Sequence, residues 1–103
     1  MRDDVPVRLG GLAATLARIS SSARRVSGTK AVEAMLEEGQ WYIEWSAPDA
    51  EIDVAAELVE IQRNLALWRL AWPEAKDSEL QRILLSVQAK TWADKVLDLS
   101  GLN

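Results

Sequence analysis

The chain has 103 residues, 49% of them apolar and 27% charged, and a net charge of −4. This is the length of one domain, with apolar surface enough for a single core, and it excludes a chain without fixed structure. Cysteine and histidine are absent, which excludes disulfides, thiol nucleophiles, imidazole bases and zinc sites built on those ligands.

Charge is unevenly spread. Residues 1–30 carry six basic and two acidic side chains, residues 31–62 nine acidic and no basic ones, and the remainder six basic and five acidic. The negative balance argues against nucleic acid or an anionic membrane as partner. No apolar run is long enough for a membrane span, and Met1, Arg2, Asp3 and Asp4 lack the apolar stretch of a signal peptide, so a cytoplasmic protein is expected.

Leu9, Leu12, Leu16, Ile19, Ala23 and Val26 hold a three-four spacing that predicts a first helix over 9–26. Gly10 and Gly11 weaken its start, each by about 1 kcal/mol relative to alanine. Arg18, Arg24 and Arg25 complement the carboxyl end of the helix dipole, and Ser27 and Gly28 end it. Thr29 is a candidate cap for a second helix over 30–46, with Val32, Met35, Leu36, Tyr42 and Ile43 as its apolar face and Gly39 admitting a close neighbour. Trp41 projects roughly 160° from the centre of that face and Trp45 lies on its flank. Ala34, Glu38, Trp41 and Trp45 form a separate row at helical spacing.

A third helix is predicted over 49–72, with Pro48 pre-set for its first turn and Pro73 closing it. Val54, Leu58, Ile61, Leu65, Trp68 and Trp72 form one seam. Ile52, Ala55, Val59, Ala66 and Leu70 form a second, roughly 140° around the axis. Only Asp53, Glu57, Glu60 and Asn64 are left for water, so this helix is expected to be central, with neighbours on two sides. Ser78, three residues before Gln81, opens a fourth helix over 78–100 that stops at Ser100 and Gly101. Its first half is apolar through Leu80, Ile83, Leu84 and Val87, and its second through Leu85, Ala89, Trp92, Val96 and Leu99, on a different side. Short connections make neighbouring helices antiparallel. The expected fold is all-α, a four-helix up-down-up-down bundle, with residues 1–103 one helical domain.

Five tryptophans and no phenylalanine mark the composition. Trp68, Trp72 and Trp92 lie on apolar seams and are expected in the core. Trp41 and Trp45, with Glu38 and Ala34 in the same row, are the candidate interface, because tryptophan off the core stripe is enriched where binding energy concentrates. The leading expectation is therefore a non-enzymatic interaction or adaptor module that binds another protein or a second copy of itself, with no cofactor. Glu33, Glu37, Glu38, Glu44, Asp49, Glu51, Asp53, Glu57 and Glu60 are read as a solvated face, as attachment for a basic partner, or as ligands of a divalent metal. Arg18, Arg24 and Arg25 beside Ser20, Ser21 and Ser22 lack a stacking aromatic and are read as surface charge or as partners of the acidic second helix.

Two resemblances extend this reading. Glu57 and Glu60, then Glu74 and Asp77, resemble the paired acidic motifs of the MazG-type nucleotide pyrophosphohydrolases, which implies Mg²⁺ held against a triphosphate as the alternative function. In that family both pairs lie within helices and face one another; here Glu74 and Asp77 sit beside Pro73 in an expected connection, with no basic cluster beside them. The run from Tyr42 to Glu51, with Glu57, Leu58, Val59 and the ending from Val96 to Leu102, is similar to a family of small uncharacterised helical proteins of cyanobacteria. That likeness implies a soluble intracellular setting and brings no site residues with it.

Overall fold

The computed structural model describes residues 4–101; Met1, Arg2, Asp3 and Leu102, which entered the expectations above, lie outside the described residues. Four helices account for nearly all of it: α1 (Asp4–Ala23), α2 (Thr29–Ser46), α3 (Ile52–Ala75) and α4 (Glu79–Ser100). Short 3-10 turns, Val26–Gly28 and Ala47–Asp49, make the first two connections.

Side-chain bridges fix the order as antiparallel throughout. Thr15 of α1 meets Glu38 of α2, Glu44 and Glu37 of α2 meet Gln62 and Arg69 of α3, and Glu57 and Trp68 of α3 meet Lys95 and Gln88 of α4. As position advances along one helix it falls along the next: Arg8 reaches Trp45 and Thr15 reaches Glu38, Glu37 lies by Arg69 and Glu44 by Gln62, and Glu57 lies by Lys95 and Trp68 by Gln88, so the four run up, down, up and down. The core is one cluster built from Leu9, Leu12, Leu16 and Ile19 of α1, Val32, Leu36 and Ile43 of α2, Leu58, Leu65 and Trp72 of α3, and Leu85, Ala89 and Val96 of α4.

The helix expected at the centre is instead the one with an open flank. Of the two stripes on α3 only Leu58, Ile61, Leu65, Trp68 and Trp72 are buried. The second stripe faces outward, with Ile52 89% and Leu70 81% exposed. The central role belongs to α1, which packs most extensively against α4 and next against α2. Its approach to α4 is close because the residues between them are small: Ser20 and Ser86 each donate a hydroxyl to the other's backbone carbonyl, at 2.8 and 2.6 Å. The α3–α4 edge is the loosest contact between sequential helices. There the Trp68 indole donates to Gln88 Oε1 at 2.8 Å, and side chains of that size hold the two backbones apart.

Several boundaries shift. The third helix keeps its expected 24 residues but starts and ends three later, because Ala47–Asp49 take up a 3-10 turn and Ala50 and Glu51 are extended. Pro73 lies inside the last turn of α3 rather than ending it. The buried Ala75 and Trp72, whose indole donates to the Thr29 carbonyl at 2.9 Å, hold that turn against the core despite the missing N–H. The first helix begins well before Leu9 and ends at Ala23, so Gly10 and Gly11 are interior. Thr29 is the first residue of α2 rather than a side-chain cap. Ser78 does cap α4, accepting from the Gln81 N–H, and Gly101 closes α4 in the left-handed conformation. α4 is one unbroken helix whose second-half face enters the core while Leu80, Ile83, Leu84 and Val87 remain exposed.

Candidate protein-interaction face

The row Ala34, Glu38, Trp41 and Trp45 lies on the outer surface of α2, each residue exposed. The buried stripe Val32, Leu36, Gly39, Ile43 faces the other way, which leaves the two indoles no place in the core. Trp41 is 52% and Trp45 48% exposed. Their rings lie 5.0 Å apart, and Tyr42 completes a three-ring cluster at 5.3 Å from Trp41 and 6.2 Å from Trp45. Tyr42 reaches this cluster by lying over Gly11 of α1, where its ring occupies the space that any side chain at position 11 would need.

Arg8 fixes the cluster from below. Its side chain is only 5% exposed, its guanidinium sits 4.8 Å above the Trp45 ring and donates to the Trp45 carbonyl, and it pairs with Asp49 at 3.2 Å. The carbonyl belongs to the last turn of α2, which has no partner within its own helix, so one cation satisfies the helix end, its dipole and the indole face together. No motif singled out Arg8; Tyr42, expected on the apolar face of α2, is half-buried against the core and meets the exposed indoles from there. A signal existed: Arg8, Leu12, Thr15 and Ile19 share one stripe at spacings of four, three and four, and a cation in a core stripe needs a buried acceptor.

The remaining members of the row behave differently. Glu38 accepts from Thr15 Oγ1 at 2.6 Å and from Arg18 at 3.3 Å, so its carboxylate is committed to α1. Ala34 lies about 10 Å further along the helix from Trp41 and has no part in the ring cluster. The structure thus brings Trp41, Trp45 and Tyr42 together and leaves Glu38 as a bridge between helices.

Cations of the same chain also occupy much of the acidic block. Glu37 pairs with Arg69, Asp49 with Arg8, Glu57 with Lys95 and Glu60 with Arg63. Among the described residues no three acidic side chains stand close enough to share a metal ion. The motif of the nucleotide hydrolases is specifically dispersed: Glu60 and Glu74 lie on the same helix, about 21 Å apart along its axis, and Asp77 pairs with Lys76. Among the described residues no helix is long and apolar enough to cross a membrane. No protein family, curated protein or solved structure matches the chain.

Proposed function

We propose that this protein is a non-enzymatic interaction module that binds a protein partner through the Trp41 and Trp45 face of α2. The observation that carries the reading is two neighbouring indoles with ring centres 5.0 Å apart, each about half exposed, with a buried arginine against the Trp45 ring. Aromatic groups pre-ordered in this way lose little side-chain freedom on binding, and each offers a large apolar contact. Exposed Glu44 adjoins Trp45 in the chain, which favours a partner that offers an apolar side chain beside a basic one.

The test compares the wild type with Trp41→Ala. Because Trp41 is half exposed, the variant should keep its helical circular dichroism and lose no more than about 1 kcal/mol of stability. Immobilised on a resin in host extract, it should lose the proteins that the wild type retains. Identical captured sets, or a variant that no longer folds, would show that the indole serves the chain's own packing.

A further inference from the structure

We infer that the outward face of α3 is a homodimer seam, in which a second copy of this chain packs antiparallel against the first. This surface is separate from the Trp41 and Trp45 face and does not rest on its role. Ile52, Ala56, Val59, Arg63, Ala66 and Leu70 follow one another at spacings of four, three, four, three and four. That is the heptad rhythm of a helix that lies along another helix. Within the monomer nothing covers it: all six residues are exposed, and Ile52 and Leu70 are the two most exposed of the large apolar side chains.

The charge on the helix selects both the occupant and its direction. Its first half carries Asp53, Glu57 and Glu60, with Glu51 just before it, and no cation; its second half carries Arg63 and Arg69 against one acid, Glu74, and of these Glu57 and Arg69 also pair with Lys95 and Glu37 of their own chain. An identical helix laid antiparallel sets the acidic half against the basic half at both ends, and opposes the two helix dipoles favourably. A parallel copy would set acid against acid and Arg63 against Arg63.

Register follows from the same rhythm. With the twofold axis at the level of Ile61, Ile52 meets Leu70 of the second copy, Ala56 meets Ala66, and Val59 meets Arg63. The two bulky apolar residues thus fill the ends, and the two alanines allow the backbones to approach. Arg63 already pairs with Glu60 of its own helix at 3.5 Å, and both side chains are largely exposed. At the axis the two Arg63 and two Glu60 side chains form a neutral group of four, which locates the single charged position in the seam where its own copy neutralises it.

Sedimentation equilibrium of the full chain over a concentration series should show a reversible monomer–dimer equilibrium. Ile52→Glu and Leu70→Glu should each shift it to monomer while leaving the helical spectrum unchanged, since both sites are exposed. Arg63→Glu should weaken the dimer, and the exchanged pair Arg63→Glu with Glu60→Arg should restore it. The chain has no cysteine, so orientation is read directly: a mixture of Ile52→Cys and Leu70→Cys chains should cross-link to each other under mild oxidation, and Ile52→Cys alone should not. A wild type that stays monomeric to its solubility limit would overturn the seam. So would a dimer that Leu84→Glu on α4 abolishes and Ile52→Glu does not, or cross-linking of Ile52→Cys chains to one another.

Discussion

Leu65 and Leu70 are the same residue type, five positions apart on one helix, and by sequence each lies on an apolar stripe. Leu65 is fully enclosed between α2 and the core, with its Cδ1 close to Gly39, whereas Leu70 is 81% exposed. Leu65→Ala therefore removes buried methyl groups and leaves a cavity, at a cost of about 2 to 5 kcal/mol. Leu70→Ala in the monomer should stay within about 0.5 kcal/mol of wild type. Urea denaturation at low protein concentration measures both, and equal losses would mean that the outer stripe of α3 is covered within the monomer. The indoles divide in the same way. Trp72 is buried with its N–H on the Thr29 carbonyl, while Trp41 and Trp45 face water. Their positions on the helical wheel foretold this, because spacing from the core stripe is a local property of one helix.

Helix ends were less legible. The last turn of α1, the turn Val26–Gly28 and the start of α2 depend on one close approach: a Cβ on Gly28 would lie 2.3 Å from the Ser22 carbonyl oxygen. Backbone on both sides cannot yield as a side-chain tip can. Gly28→Ala should therefore destabilise the protein by about 1 to 3 kcal/mol, seen as a lower denaturation midpoint at unchanged slope. A change under about 0.5 kcal/mol would show that the turn re-forms without that contact. The three-residue shift of α3 has a related cause. Proline at 48 suits a 3-10 turn as well as a helix start, and the choice falls to whichever register buries Leu58, Leu65, Trp72 and Ala75 together.

Over the whole molecule, apolar packing rather than charge sets stability. The interhelical pairs Arg18–Glu38, Arg69–Glu37 and Lys95–Glu57 are all about half exposed, and each is worth about 0 to 1 kcal/mol. Raising sodium chloride to about 1 M, where the screening length is about 3 Å, should reduce the unfolding free energy by no more than about 2 kcal/mol. A larger loss in chemical denaturation would mean that ion pairs hold the helices in register.

The sequence by itself determined that this chain is four helices joined by short connections in antiparallel order, and that Trp41 and Trp45 stand apart from the core stripe of their helix. Those features follow from spacing and connection length, which act within one helix or between neighbours. Tertiary structure alone decided which apolar stripes are covered. α1 became the central helix because its small residues let α4 approach, and α3 kept an open flank because both of its neighbours, α2 and α4, pack on the side of Leu58, Leu65 and Trp72. An amphipathic pattern states that a face seeks cover; the shapes of side chains on other helices determine whether the same chain supplies it.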